Sequence, residues 1–498
     1  MAYKKQFPMS CIYIGGGFLK SQLLYILPVI HGFASKTPVS TLVFDSESFK
    51  AVLELIDEPI INNLIKRYAL VEASRPTTAK PFEFIYRLIY GIRKFGVAKS
   101  LALLSVHSTN LLRNVSWLDL QVRHATWDSI CLTLKDGSLR VSLIKRFKLC
   151  LTILAHYGYG ARLSSLYEFK SGVFAHGVYY TRSIIAAFRE NRVYCFIDAL
   201  KCIYRLPLTF DISHSTFPAF YWNEYIQRIN IDKVQHYWEG RLQGNSRYAD
   251  AVLAAHGEQK WEGKDHGVLF LHIFKDSPFL SIDVSRIFPD YIEWVRFSLT
   301  CIIQSQGKWV IRMHPSQELW GEEQSKWISE LLRLCGLHSL PKNISLVGSS
   351  VSVNDLLKGA SKILTYHGTV HLEAACHGIK PIVISRCSLH DCDMSAVHKP
   401  SNLEDYADLI FDSNLQRFRL EPYYRERAKS ILYVRENLLG FEKCINSITL
   451  YRNADSSMKH KDYIQVLEGL EANIDRLKKA GFSLNQSNHT LSLDQYRP

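Results

Sequence analysis

Three short segments place imidazole, glycine and hydroxyl side chains directly after apolar runs that read as strands. His314 and Pro315 follow Trp309–Met313, Gly348, Ser349 and Ser350 follow Asn343–Val347, and His367, Gly368 and Thr369 follow Lys362–Thr365. An imidazole at the carboxyl end of a strand can donate a charge-assisted hydrogen bond to a phosphate, and the proline stiffens the loop that positions it. Hydroxyls and backbone N–H groups at a helix start receive phosphate oxygens, and glycine permits close approach. Glu373, one turn into the helix that begins at Thr369, can accept hydrogen bonds from both hydroxyls of a ribose. Taken singly, each segment also fits an ordinary role: Ser350 or Ser352 as a plain cap, Glu373 as a complement to the helix dipole. Their succession after consecutive strands of one sheet points to a nucleotide-phosphate and ribose site. No GxxxxGK[ST] occurs, and Gly15–Gly17 lacks the GxGxxG spacing, so neither a P-loop nor a dinucleotide fingerprint is present.

Further candidates lie around this set. His272 interrupts the apolar run Val268–Phe274, and a polar residue in a buried strand needs a partner or a task. Asp276 follows at the mouth of the expected crevice. A carboxylate there can act as a base on an acceptor hydroxyl or as a nucleophile on an anomeric carbon; it can also cap a turn with Ser277 and Pro278. His176, with Tyr179 and Tyr180, follows the strand Ser171–Ala175 in the first half, and Glu168 just before that strand is a second candidate carboxylate. Cys387, His390, Asp391, Cys392 and Asp393 are metal-liking side chains, but no second ligand pair accompanies them, and no metal is expected.

The elements that must hold these residues form two α/β runs. The first begins with the strand Cys11–Ile14, a glycine turn, a helix over Phe18–Phe33 and the strand Thr41–Phe44. Residues 50–110 read mostly as helices rich in basic residues. Ser129–Leu134 and Arg140–Ile144 read as a hairpin around Asp136 and Gly137, and Thr181–Asn191 as a helix before the strand Val193–Ile197. The second run has strands at Val268–Phe274, Trp309–Met313, Asn343–Val347, Lys362–Thr365 and Pro381–Ser385, with helices at about 283–303, 317–336, 353–359 and 369–377. This alternation predicts α/β architecture: two Rossmann-like domains facing a central cleft, with ligands at the carboxyl ends of the strands. The expected boundaries are 1–228, an inter-domain segment 229–266, 267–454, and a terminal helix and tail over 455–498.

Composition bounds the rest. The 498 residues are 47% hydrophobic and 21% charged, which excludes wholesale disorder, collagen and coiled coil. The net charge of +13 calls for an anionic partner: a nucleotide, a phospholipid surface, a charged glycan or a nucleic acid. Nucleic acid is the weaker reading, because the basic residues are dispersed and no zinc finger, RRM signature or helix-turn-helix pattern occurs. Val141–Leu154 mixes basic and apolar residues, as a strand leading into a helix with a basic face or as a segment resting on an anionic membrane. No signal peptide and no run of about 18 apolar residues is read. The 11 cysteines, odd in number and set mostly in apolar runs, read as reduced thiols of a cytoplasmic protein.

The segments around His314, Gly348–Ser350 and His367–Pro381 resemble the C-terminal half of bacterial capsule and lipopolysaccharide glycosyltransferases. More narrowly, they are similar to the capsule-synthesis superfamily that includes β-Kdo transferases. Tyr237, Arg241, Leu242 and Gly244 resemble that family's segment before its second domain, and Val268–Pro278 its first strand and Asp-bearing loop. Coverage is best over about 230–385. The resemblance implies a GT-B fold, an acceptor-binding first domain, a nucleotide-sugar-binding second domain, a CMP-activated acidic sugar as donor, and no cofactor or metal. It implies that His314, Ser349, Ser350 and Thr369 hold the CMP phosphate, that Glu373 holds the ribose, and that Asp276 is the catalytic carboxylate. His272 and Ile273 stand where the family often has Gln-Val, which leaves UDP- or GDP-sugar enzymes of the same fold open. The implied partners are a nucleotide sugar, a glycan or glycolipid acceptor and an anionic membrane surface, in a cytoplasmic protein peripheral to the inner face of the membrane. A non-catalytic scaffold and a nucleic-acid-binding protein are the readings from other classes.

Overall fold

The computed structural model describes residues 10–16, 23, 27, 39–55, 62, 65–66, 68–73, 80–106, 116–134, 141–175, 177, 179–198, 203–206, 229–242, 260–275, 287–288, 291–348, 350–366, 368–384 and 394–437. In the first unit, β1 (Ser10–Gly15), β2 (Thr41–Asp45), β3 (Ala69–Ala73), β4 (Glu168–Phe174), β5 (Tyr194–Asp198) and β6 (Ile203–Leu206) form one sheet in the order β3-β2-β1-β4-β5-β6. All neighbours are parallel except β5 and β6. This is the Rossmann order, in which the chain reverses between β1 and β4.

Helices α1 (Ser46–Leu53), α2 (Pro81–Phe95), α3 (Val97–Ala102), α4 (Trp117–Leu132), α5 (Leu143–Leu166) and α6 (Tyr179–Glu190) accompany the sheet. Asp45 ends β2 and caps α1, its Oδ1 accepting from Ser48 N at 2.9 Å. Tyr13, Tyr159, Phe169, Phe174 and Phe188 bury one face of the sheet against α5 and α6. Helices α2 and α5 run antiparallel through glycines: a Cβ on Gly91 would stand 2.1 Å from Leu154 O, and one on Gly158 2.1 Å from Arg87 O. Only glycine permits that backbone approach.

The hairpin expected around Asp136 is not formed. Ser129–Leu132 belong to α4, where Ser129 Oγ donates to Ala125 O at 2.7 Å. Ser142 caps α5, accepting from Lys145 N at 3.4 Å, so Leu143 and Ile144 are helical. Short apolar runs carry little information on their own, and helix packing decided these. Most of Phe18–Phe33 and the tail 455–498 lie outside the described residues.

The second unit holds β7 (His266–Phe270), β8 (Trp309–Arg312), β9 (Ile344–Val347), β10 (Ala360–Thr365) and β11 (Ile382–Val383), all parallel, in the order β11-β10-β7-β8-β9. Here too the first strand and the fourth are neighbours, so the carboxyl ends of β7 and β10 flank the switch point. Alternate residues of β7 enter opposite cores: Val268 and Phe270 join Val310 and Ile363, whereas Leu269 joins Ile311, Trp294 and Trp327. Helices therefore cover both faces, as a parallel sheet requires. They are α7 (Ile231–Leu242), α8 (Tyr291–Gln304), α9 (Gln324–Leu334), α10 (Val353–Gly359), α11 (Val370–Cys376), α12 (Leu403–Phe411) and α13 (Pro422–Asn437). Helix α7, read from sequence as inter-domain, packs Trp238 against Leu372 and Cys376 of α11 and Ala428 and Leu432 of α13. Among the described residues, no helix is long and apolar enough to cross a membrane.

Candidate functional site

The strand β7 ends at Phe270, four residues earlier than the sequence pattern implies. His272 therefore does not interrupt a strand; it sits in the loop at the switch point. That loop is fixed by neighbours remote in sequence. Tyr291 Oη accepts from His272 N at 2.7 Å and donates to His272 O at 3.1 Å. Gln324, fully buried at the start of α9, uses its whole amide: Oε1 accepts from His314 N at 2.6 Å, and Nε2 donates to His272 O at 2.9 Å and to Glu322 Oε1 at 2.8 Å. The Glu322 carboxylate in turn accepts from the backbone N–H groups of Phe274 and Lys275, each at 3.1 Å. Burial raises the Glu322 pKa above the usual carboxylate range, against the hydrogen bonds that lower it. One residue after Lys275 stands Asp276, which lies outside the described residues, as do His176, Ser349 and His367.

His314 leaves the end of β8 with its tautomer set. Ser316 N donates to its Nδ1 at 3.1 Å, so in the neutral ring the proton resides on Nε2, which is left to donate outward. Burial, then the neighbouring His272 and the Arg312 cation, push the His314 pKa well below the ordinary histidine value. The two imidazoles lie with ring centroids 5.4 Å apart. Pro315 follows in the loop and Ser316 closes it.

Arg312 is the basic residue that sequence reading passed over, although a cation inside Trp309–Met313 was a signal. Its guanidinium is buried and donates to Val351 O from Nε at 3.4 Å and from Nη2 at 3.1 Å, and also to Met313 O. It thereby ties the loop after β8 to the loop after β9. Burial lowers its pKa to about 10, and Glu373 acts in the opposite direction. Ser350 is exposed in the β9 loop, whereas Ser352 is the cap, its Oγ accepting from Asp355 N at 3.3 Å.

After β10, Gly368 adopts φ 113°, with open space where a Cβ would point. The buried His371 donates from Nδ1 to the Gly368 carbonyl, which holds this turn from within α11. Thr369 Oγ1 donates to Glu373 Oε1 at 3.2 Å, and Arg241 of α7 donates to the same oxygen at 2.7 Å. Glu373 is therefore oriented from two sides. Arg312, Glu322, Gln324 and Tyr291 are the positioning residues that motif reading did not single out; Gln324 and Glu322 carry no local signature.

The first unit contributes less. Its switch-point turn is held by Gly16 N donating to Asp45 Oδ2 at 2.6 Å. Beside the loop that carries His176, the buried Arg182 donates to Gly177 O at 3.2 Å, and its Nη1 lies 2.7 Å from His124 Nδ1. Glu168 opens β4, at the amino end of that strand, and pairs with Lys170 at 2.5 Å near solvent.

No family model and no curated protein matches the sequence. Several solved structures are similar at low identity. KpsC, a β-Kdo 2,4 transferase of Thermosulfurimonas dismutans, aligns over 53% of this chain and 79% of its own at 10% identity and TM-score 0.30. Anabaena HepE in complex with UDP-glucose aligns over 89% and 99% at 8% identity and TM-score 0.30. UDP-GlcNAc 2-epimerase from Neisseria meningitidis, bound to UDP-GlcNAc, aligns over 86% and 100% at 10% identity and TM-score 0.24.

Proposed function

We propose that the chain is a GT-B glycosyltransferase of bacterial surface-polysaccharide synthesis, taking an acidic sugar such as Kdo from a CMP-activated donor to a glycan or glycolipid acceptor at the cytoplasmic membrane. The observation that carries this reading is the grouping of His272, His314, Gly368 and Thr369 in loops at the carboxyl ends of β7, β8 and β10, with Glu373 in the first turn of α11, around the switch point of a Rossmann-ordered sheet. The donor class and the capsule role rest on the family resemblance of those segments.

Glycosyl transfer passes through an oxocarbenium-like transition state as a phosphate departs. His314 donates from Nε2 towards that phosphate and so stabilises the charge that develops on the leaving group. The Gly368–Thr369 turn supplies backbone N–H donors at close range, while the Thr369 hydroxyl is held on Glu373. Glu373 takes the ribose hydroxyls, held in place by Arg241 and Thr369. Asp276 activates the acceptor hydroxyl or attacks the anomeric carbon. With a single phosphate to neutralise, these side chains and the Arg312 charge suffice in this scheme without a metal.

Thermal unfolding with CMP, CDP, UDP, GDP and ADP, in EDTA, tests the reading. A ligand that binds only the folded state raises Tm by mass action. The expected result is a rise with CMP, lost in His314→Ala. A rise with UDP or GDP alone overturns the CMP-sugar donor, and no rise with any nucleotide overturns the transferase.

A further inference from the structure

Helix α2 is amphipathic the wrong way round for a soluble surface. Its inner face packs Gly91 and Phe95 on α5. Its outer face presents Phe82, 80% exposed, Ile85, 52%, and Ile89, 61%. These positions recur at i, i+3 and i+7, one stripe of a helix. The stripe continues past Gly96 onto α3, where Val97 is 63% and Leu101 62% exposed. The turn after α3 lies against the start of α5, with Cys150 Sγ donating to Leu103 O at 3.4 Å and Arg146 Nη1 to Val106 O at 2.9 Å. That start exposes Leu143 at 81% and Ile144 at 72%.

The charge around this apolar surface is mostly positive, with Asp119 of α4 paired to Lys99 at 3.0 Å. Segments 80–106 and 141–166 together hold nine Lys and Arg and a single acid, Glu83, which pairs with Arg87 at 3.6 Å. The first turns of α5 carry Lys145, Arg146 and Lys148 with no acid, against the helix dipole, which favours negative charge there. Arg93, Lys94 and Lys148 are exposed. A folded protein gains nothing for its own stability by exposing large apolar side chains on three neighbouring elements.

From these observations we infer that the outer face of α2 and α3, with the first turns of α5, docks on an anionic lipid bilayer. The apolar side chains enter the boundary between headgroups and acyl chains, and the flanking cations meet lipid phosphates. A bilayer fits better than a protein partner: the apolar stripe is flanked by cations, and an apolar protein groove would leave those cations without counter-charge. The inference deepens the proposed reaction by placing the first unit on the surface where a glycolipid acceptor lies, and it rests on that reading only for this consequence.

The test is sedimentation of the full chain with vesicles of phosphatidylcholine alone and of phosphatidylcholine with about one-third phosphatidylglycerol. Partition to the anionic vesicles is expected to be at least tenfold stronger than to the neutral ones and to weaken as salt is raised. Phe82→Ser with Ile89→Ser, and separately Arg93→Glu with Lys94→Glu, should each reduce it about tenfold or more. Leu403→Ser with Phe411→Ser, exposed apolar residues of the second unit, should leave it unchanged. Unfolding temperature and its shift with CMP are measured on every variant, so a loss of folding or of nucleotide binding is seen separately. No preference for anionic vesicles, equal partition of the α2 variants, or an apolar face covered instead by a second copy in solution overturns the inference. A CMP shift that persists while vesicle binding is absent overturns the docking face alone.

Discussion

Arg241 donates from Nη2 to Glu373 Oε1 at 2.7 Å, joining two residues 132 positions apart. The contact links α7, in the segment between the two sheets, to the helix that follows β10. It holds the carboxylate assigned to the ribose in one orientation. Arg241→Ala should lower Tm, with a loss on the order of 1–2 kcal/mol for a partly buried charge-assisted hydrogen bond. It should weaken CMP binding about tenfold and reduce the preference for CMP over 2′-deoxy-CMP, as read by calorimetric titration. Arg241→Lys keeps the charge but not the planar donor set and should fall between the two. An unchanged ribose preference in both variants would separate Glu373 from sugar recognition.

His314 supplies a pH dependence whose sign follows from its surroundings. In the free protein its pKa is depressed by burial, His272 and Arg312, so at neutral pH the ring carries one proton, on Nε2. A phosphate arriving at Nε2 raises that pKa, and binding then draws a proton from solution. Affinity for CMP should therefore rise as pH falls from about 8 towards 6, more steeply than in His314→Ala, where only the phosphate itself titrates. Calorimetry in buffers of different ionisation enthalpy should show proton uptake in the native chain and less in the variant. Equal uptake in both would assign the proton to another group.

Much of this site was legible before the coordinates. Strands β1, β2, β4 and β5 and all five strands of the second unit announce themselves as short apolar runs, most of them followed by glycine, histidine or hydroxyl residues. Because parallel strands put their loops on one edge, His272, His314 and Thr369 could be expected at the carboxyl edge of one sheet. What was not legible depends on contacts between remote positions. Gln324 and Glu322 look like ordinary residues at a helix start, and only the fold brings them under His272 and Phe274. Ser129–Leu134 had a strand's composition and became the end of a helix, because α4 is packed among α5 and α6. Glu168, read as lying just before its strand, is the first residue of β4.

Glu322 should behave as a positioning residue for the loop that leads to Asp276. Its carboxylate holds the N–H groups of Phe274 and Lys275, and Gln324 holds the carboxylate. Glu322→Gln can accept at one oxygen only and leaves part of this set unsatisfied. Gln324→Leu removes the bridge between His272 and His314 altogether. Transfer rate should fall about 10- to 100-fold in both, since a misplacement of about 1 Å costs that much. In Glu322→Gln the Tm shift with CMP should persist, and the loss should appear in kcat rather than KM. A loss confined to KM would place Glu322 in substrate binding instead.

The buried histidines set the response to acid. Burial, first among the causes, lowers His377 and His398 from about 6.5 to about 4, and His314 is pushed well below its ordinary value as well. Between those limits the unfolded chain binds protons at these sites and the folded chain does not. The slope of unfolding free energy with pH is then positive, so stability falls as pH is lowered from about 6.5 and levels off below about 4 for His377 and His398. Each of these two is partly open to solvent, so its contribution is on the order of 1 kcal/mol rather than the full value of the shift. Urea titrations at a series of pH values should show this decline. In His398→Gln, which keeps a donor for the Arg417 carbonyl, the decline should be smaller by about that amount. An unchanged slope in the variant would show that His398 is protonated alike in the folded and unfolded chains.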